Sequence, residues 1–376
     1  ESELVNNINS VLDSNYDLTD NIDLVSGLSC GATLTYMGMV STALKGPDFT
    51  NFSKLETINA SWTRNFETFF TSESSGVYSG YKFAGCNKLS SMHMQYSGVN
   101  GPFPIFENPE LSSINLYSTG INGGDPLVSG GGDYVITAST FASTPKLSFL
   151  QITSSSLIQK EIHPDAFASN TSLSDLRISS NRRIPGAIPE LSTCPQLTYI
   201  DLSNNVFTGA PPSFVSNTSI NYVYLNNNEL DLPVPTIKNL GSLYYLYLHS
   251  NKITGVNTFE NLPYLYRLYL HHNQIVGEIP MFSGECPRLK YLMLYDNKWT
   301  SYRVGSFKEL YYLKWLDISN TNLSQTAYHQ IIDDLYDNWD TVPRGSVTIN
   351  TKRIKPEGAS DYLLPAEEWE EKIIEL

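Results

Sequence analysis

One line of apolar and polar positions recurs along the chain. It runs apolar, two residues, apolar, one residue, apolar, two residues, then a short polar residue. The register is sharpest at Leu243-Tyr244-Tyr245-Leu246-Tyr247-Leu248-His249-Ser250-Asn251, which reads LxxLxLxxN. The alternation at its centre is strand periodicity, with leucines toward a core and the intervening residues away from it. The first apolar positions fall at Leu34, Leu55, Leu89, Leu111, Leu147, Leu173, Leu197, Ile220, Leu243, Leu265, Leu289 and Leu313. Successive starts lie 21–26 residues apart, except from Leu55 to Leu89 and from Leu111 to Leu147. Such a period predicts stacked coils around one continuous core, with one short parallel strand per coil.

The two wide gaps predict insertions near residues 64–85 and 122–143. The first carries Ser74-Ser75-Gly76-Val77 and the second Gly130-Gly131-Gly132-Asp133. Both read as surface loops or a hairpin.

The ninth position of each copy is a short polar residue. It is Asn181, Asn205, Asn228, Asn251, Asn273 and Asn297 in the middle copies, and Thr42, Thr63, Ser97, Thr119, Ser155 and Thr321 in the outer ones. Where the chain leaves the strand, buried backbone groups need partners that a short amide or hydroxyl can supply. Stacked copies then form a polar ladder. The eleventh position is apolar in most copies and closes the core: Leu44, Val99, Ile121, Leu157, Phe207, Leu230, Ile253, Ile275, Trp299 and Leu323. Beyond it stand Gly101-Pro102-Phe103-Pro104, Gly186-Ala187-Ile188-Pro189, Gly209-Ala210-Pro211 and Gly277-Glu278-Ile279-Pro280. Proline there forbids a full helix on the outer side and predicts extended or short 3₁₀ segments.

These motifs resemble the leucine-rich repeat family, in the LxGxIP subtype of plant receptor ectodomains, over about residues 30–345. The paired cysteine caps of those receptors are missing, and no kinase or membrane segment follows. The closing segment resembles bacterial and bacteriophage surface repeat proteins, in which a helix replaces the outer turn and a last short strand follows. The fold class expected is an α/β-type solenoid dominated by short parallel strands. It is a leucine-rich repeat horseshoe of about twelve coils with N- and C-terminal caps. Three segments are expected: an N-terminal cap over 1–33, the solenoid over 34–323, and a C-terminal cap over 324–376. In the last, Ser324 caps a helix over Gln325–Trp339 with Ile331, Ile332 and Leu335 inward, and Val347-Thr348-Ile349 forms the closing strand. From Glu357 the tail holds seven acids and one base. Trp369, Ile373 and Leu376 make one apolar stripe there, suited to an end cap or to docking an assembly partner.

The formal net charge of −14 argues against nucleic acid and anionic membrane as partners. No apolar run reaches membrane-span length. The chain begins at Glu1 without a signal peptide, as expected of a processed chain or a part of a longer one. Cys86, Cys194 and Cys286 each stand three residues before a repeat leucine. Cys194 and Cys286 are four coils apart, roughly 19 Å at strand spacing, beyond the ~7 Å Cα separation of a disulfide. These three read as small buried free thiols; a Cys30–Cys86 bond stays open.

The outward positions of copies 8–11, with Trp315 of copy 12, hold the candidate ligand-binding residues: Tyr222, Tyr224, Tyr245, Tyr247, His249, Arg267, Tyr269, His271, His272, Tyr291, Tyr295 and Trp315. Tyrosine favours strands in any case. Its crowding onto the solvent side of adjoining copies points instead to recognition, because the ring offers contact area at low entropic cost and keeps a hydroxyl. Three histidines, His249, His271 and His272, invite zinc, but neither a carboxylate nor a cysteine completes a set. No metal and no cofactor are expected. Gly27-Leu28-Ser29-Cys30-Gly31 matches the hydrolase nucleophile elbow, yet a repeat strand follows it where a helix is required. No catalytic residues are expected, and the chain reads as a non-enzyme. The function expected is recognition or adhesion, binding a protein or glycan through the concave Tyr/His face, on an extracellular or virion surface. The alternative is a structural assembly subunit docked through its terminal segments.

Overall fold

The computed structural model describes residues 36–38, 52–62, 70–74, 77–81, 83–123, 134–154, 160–181, 184–336 and 348–350. The expected N-terminal cap, Cys30 and its neighbouring G-x-S-x-G match, Thr42, Leu44, Ser155, Leu157 and the acidic tail lie outside the described residues. The chain divides into two compact units, Glu1–Cys194 and Pro195–Leu376.

Each of the twelve expected copies contributes a strand of three residues to a parallel sheet. In the N-terminal unit these are Tyr36–Gly38, Thr57–Asn59, Ser91–His93, Ser113–Asn115, Phe149–Gln151 and Asp175–Arg177. In the C-terminal unit they are Tyr199–Asp201, Tyr222–Tyr224, Tyr245–Tyr247, Arg267–Tyr269, Tyr291–Met293 and Trp315–Asp317, with Thr348–Asn350 closing the sheet. Equivalent repeat positions pair without slippage, as in Tyr224 with Tyr247 and Tyr247 with Tyr269. The reason is the period: a one-residue slip would turn every leucine of a strand outward. The leucines at the first, fourth and sixth positions, such as Leu243, Leu246 and Leu248, are buried.

The first insertion contains an antiparallel hairpin, Phe70–Ser74 with Val77–Tyr81. The outer side is built from turns and short extended pairs, such as Val276–Ile279 with Lys298–Tyr302. Phenylalanines fill the space behind it. Phe106, Phe141 and Phe167 stack in the N-terminal unit, and Phe259 stacks on Phe282 in the C-terminal unit.

The asparagine ladder is present and spans coils. Asn251 accepts a hydrogen bond on Oδ1 from Leu230 N at 3.1 Å, and its Nδ2 donates to Leu225 O and Leu248 O, each at 3.0 Å. Asn228, Asn273 and Asn297 repeat the arrangement one coil apart. Each amide therefore serves its own coil and the preceding one. The outer Thr119 and Thr321 donate to a carbonyl of their own coil, Leu116 O and Ile318 O, and Thr321 Oγ1 also lies 2.9 Å from Tyr328 Oη of the closing helix.

The eighth position carries the bend that ends each strand. Trp62, Tyr96, Ser118, Ser154, Ser180, Asn204, Asn227, Ser250, His272, Asp296 and Asn320 all have φ between 49° and 65°. That left-handed region costs an L-residue about 1–2 kcal/mol. In nine of these residues the same residue's N–H bonds across to the next coil and holds the bend, as Ser250 N does to His271 O at 3.0 Å.

The last coil is closed by the α-helix Gln325–Tyr336. Ser324 Oγ accepts from Ala327 N at 3.2 Å, the expected N-cap. Ile331, Ile332 and Leu335 are buried as expected. Residues 337–347, including the expected helix end at Trp339, lie outside the described residues. The helix is pinned from its acidic side: Tyr302 donates its hydroxyl to Asp334 Oδ2 at 2.5 Å, and Gly305 N donates to the same oxygen at 2.6 Å.

Candidate functional site

The solvent face of the C-terminal unit's sheet takes its side chains from the third, fifth and seventh repeat positions. Neighbouring strands put equivalent residues about 4.8 Å apart, so rings in one column meet. The fifth-position column runs Tyr224, Tyr247, Tyr269. Tyr224 meets Tyr247 edge-on at 5.1 Å, and Tyr247 stacks on Tyr269 at 4.4 Å and 10°. The seventh-position column runs His249, His271, Tyr295, stacked at 4.4 and 4.5 Å. The third-position column begins Tyr199, Tyr222, Tyr245 and then places Arg267 between Tyr245 and Tyr291, its Cζ 4.9 Å from each ring centroid.

Burial sets the protonation of this face. It pushes the phenols of Tyr224, Tyr245 and Tyr295 up, and that of Tyr269 up to about 12. Burial, with the charge of His272, pushes His249 down to about 4. Burial, then His249 and His272, pushes His271 down to about 3. At neutral pH both imidazoles are uncharged, and the Nδ1 of each is buried without a hydrogen-bond partner. Arg267 is the opposite case. A hydrogen bond between its Nη1 and Tyr247 Oη at 3.2 Å, together with the surrounding phenols, holds the guanidinium charged. No carboxylate pairs with it among the described residues.

Most of the expected site residues come together: Tyr222, Tyr224, Tyr245, Tyr247, His249, Arg267, Tyr269, His271, Tyr291 and Tyr295. His272, at the strand's end, joins them edge-on, 5.2 Å from the His271 ring and 5.0 Å from the Tyr295 ring, with its Nδ1 2.7 Å from Asp296 Oδ2. Trp315 aligns with Tyr291 in the sheet register and is 39% exposed, but it stacks on none of the described rings. Three tyrosines outside the expected set belong to the cluster: Tyr199, whose ring meets Tyr222 and Tyr224, and the pair Tyr244 and Tyr266. Tyr244 and Tyr266 stack at 4.9 Å and 18°, and Lys290 Nζ lies 5.0 Å from the Tyr266 ring. That pair occupies the second repeat position, just before the strand. Counting that position among the outward columns would have found it. The rings are half-buried against one another, so truncating one removes packing from the sheet as well as surface for a partner.

Among the described residues, no three histidine, cysteine or carboxylate side chains gather as a metal site. No helix there is long and apolar enough to cross a membrane. Cys86, Cys194 and Cys286 are buried free thiols.

Comparison with known proteins bears on the fold. Two family models described as leucine rich repeat match residues 230–275 and 196–218. None of the curated proteins compared with the chain matches it. Among solved structures, the chain is similar to a TDR receptor at 23% identity and TM-score 0.56, covering 78% of this chain and 52% of that one. It is similar to the plant peptide hormone receptor RGFR1, solved in complex with RGF2, at 23% identity and TM-score 0.53, covering 75% of this chain and 51% of that one. It is similar to the internalin inlF of Listeria monocytogenes at 17% identity and TM-score 0.53, covering 96% of each chain. The chain spans about half the length of the two receptor chains. At these identities the likeness is one of fold. The chain has the leucine-rich repeat fold, a parallel-strand solenoid closed by a C-terminal helix, which typically serves as a protein- or peptide-binding module and is generally non-catalytic.

Proposed function

We propose that the chain is a non-enzymatic recognition module that binds a peptide or protein segment across the tyrosine face, with Arg267 receiving an acidic group of that segment. The observation that carries this reading is the state of Arg267. It is a guanidinium boxed by Tyr245 and Tyr291, bonded to Tyr247 and paired with no described carboxylate, in a chain with 38 acidic residues. Aromatic and arginine side chains dominate measured interfaces when clustered at the centre of a packed patch. A carboxylate from a partner would complete the guanidinium's hydrogen bonding, where a neutral group would not. The similar plant receptor RGFR1 is a peptide hormone receptor, which accords with an extended peptide as the bound form.

The test is to pan a displayed peptide library on the full chain. Enriched peptides are expected to share an acidic residue. Their affinity should fall about tenfold or more with Arg267→Ala or Tyr247→Ala, following the 1–3 kcal/mol that such anchors carry. Ser148→Ala with Gln151→Ala, on the N-terminal unit, should bind normally. Peptides that bind the Arg267 and Tyr247 variants as well as the parent would sink the reading. Circular dichroism of each variant separates lost binding from lost fold.

A further inference from the structure

We propose that the N-terminal unit carries a second site, built on Trp62, Tyr96 and Tyr117, that binds a neutral oligosaccharide. It is independent of the tyrosine face above and lies wholly within the other unit.

Three aromatic rings from successive coils meet at the end of the sheet strands. Trp62 and Tyr96 stack at 4.1 Å and 18°, and Tyr117 meets Tyr96 edge-on at 5.1 Å. They are not core residues: Trp62 is 56% exposed and Tyr96 40%. Trp62 and Tyr96 occupy the left-handed eighth position, where the following coils carry Ser118, Ser154 and Ser180. A serine suffices to make the bend, so the bulk of the two rings serves something other than the fold. The backbone fixes their places, since Trp62 N donates to Gln95 O at 2.9 Å and Tyr96 N to Tyr117 O at 2.8 Å.

In the four coils from Thr57 to Thr153 the third, fifth and seventh positions beside the rings carry no charge. They are Thr57, Asn59 and Ser61, then Ser91, His93 and Gln95, then Ser113 and Asn115, with Phe149, Gln151 and Thr153 beyond. None of these is Asp, Glu, Lys or Arg, whereas the same positions around the tyrosine face hold Arg267, which has no described carboxylate partner. The next coil holds Asp175 and Arg177, which pair with each other at 2.7 Å, with Arg177 Cζ 5.6 Å from the Phe149 ring. Glu56 stands at the far end of its strand from Trp62. What the N-terminal face offers is amide chemistry. Asn59 Oδ1 accepts from Ser61 N and Oγ at 3.1 and 2.7 Å, and Asn115 Oδ1 accepts from Tyr117 N at 3.1 Å. With their oxygens committed, the Nδ2 groups remain as donors. Gln95 Oε1 is buried without a hydrogen-bond partner, so this amide has an acceptor to satisfy when it reorients toward a ligand.

Exposed rings beside neutral donors and acceptors suit one ligand class. The C–H face of a pyranose packs on an aromatic ring, and its hydroxyls bond amides and hydroxyls on either side. An anionic glycan would need unpaired cations, and an acidic or basic peptide a free charge of opposite sign. The outward positions of the coils that carry Trp62, Tyr96 and Tyr117 have neither, and Arg177, two strands beyond Tyr117, is paired with Asp175.

The experiment measures binding of cellohexaose, maltohexaose, chitohexaose and mannohexaose to the full chain by titration calorimetry, with polygalacturonate as the charged comparison. Saturable binding of at least one neutral hexasaccharide is expected, and polygalacturonate should bind more weakly. Trp62→Ser and Tyr96→Ser install the residue that other coils use at this bend, so they should fold, as near-parental melting would show. Each should weaken the bound hexasaccharide about tenfold or more, while Arg267→Ala leaves it unchanged. The proposal is overturned if no neutral hexasaccharide binds, if the serine variants bind like the parent, or if polygalacturonate binds as well. Loss of hexasaccharide binding in Arg267→Ala would also overturn it. Peptide binding that disappears in Arg267→Ala reports on the other face alone, so the two readings fail separately.

Discussion

The imidazoles of His249 and His271 lie 4.4 Å apart and 9° from parallel, on adjacent strands of the C-terminal unit's sheet. Two rings in that arrangement repel when charged, and both are half-buried. Their pKa values, about 4 and about 3, fall below the ordinary value of 6.5. The unfolded chain then binds protons that the folded one refuses, so stability is complete above about pH 6.5 and drains as pH falls toward 4 and 3. Melting temperatures at pH 7 and pH 4.5 should differ less for His249→Asn with His271→Asn than for the parent. Comparing the two proteins cancels the carboxylates, which titrate in both. Equal pH dependence in parent and variant would remove the histidine pair as the cause.

The ladder makes a sharper prediction. Asn251→Leu removes the acceptor of the buried Leu230 N and one of the two amide donors to each of Leu225 O and Leu248 O, which keep Asn228 and Asn273. The expected cost is about 1–3 kcal/mol by urea unfolding. Asn257, in the outer part of the same coil, has an exposed side chain and should tolerate leucine. Matching losses at the two positions would show that the ladder carries no such weight.

At the closing coil, Tyr302→Phe removes the hydroxyl that donates to Asp334 and accepts from Phe307 N at 2.9 Å. Asp334 is 5% exposed, so its carboxylate loses a short bond where water does not easily replace it. A loss of about 1–3 kcal/mol is expected. Hydrogen exchange should speed first in Gln325–Tyr336, and uniform acceleration across the unit would contradict the local pinning.

Cys86, Cys194 and Cys286 should resist alkylation in the native protein. Burial raises the thiol pKa of Cys194 and Cys286, which suppresses the reactive thiolate. Iodoacetamide mapping by mass spectrometry should label the three only after denaturation. Labelling of any of them at native pH 7.5 within minutes would place it at the surface.

How much of this was legible in advance depends on whether a residue acts within its coil or between coils. Periodicity alone identified the strands, the buried leucines, the asparagine positions and the cysteine column, because each follows from one coil repeated. It did not reveal what shares the cysteine column. Asn108 and Asn170 stand in the same place, three residues before Leu111 and Leu173. Asn108 Nδ2 donates to Phe83 O and Cys86 O, and Asn170 Nδ2 to Phe141 O and Thr144 O. They form a second amide ladder in the N-terminal unit. Its partners lie 22–29 residues away, beyond the reach of a pattern read one copy at a time.

The candidate site divides in the same way. The sequence by itself determined that tyrosines and histidines crowd onto one face of adjoining strands, since side-chain direction in a strand alternates strictly. It also determined the leucine core and the helix that closes it, because both are set by spacing. Only the tertiary structure decided which rings stack, that Arg267 is held between Tyr245 and Tyr291, and that Tyr244 and Tyr266 join the cluster while Trp315 stays apart. It alone brought Trp62, Tyr96 and Tyr117 together across the first wide gap in the repeat. The physical reason is that contacts between coils depend on rotamers and on the bend at the eighth position. A repeat pattern fixes where a side chain starts, and its neighbours in the stacked coils fix where it ends.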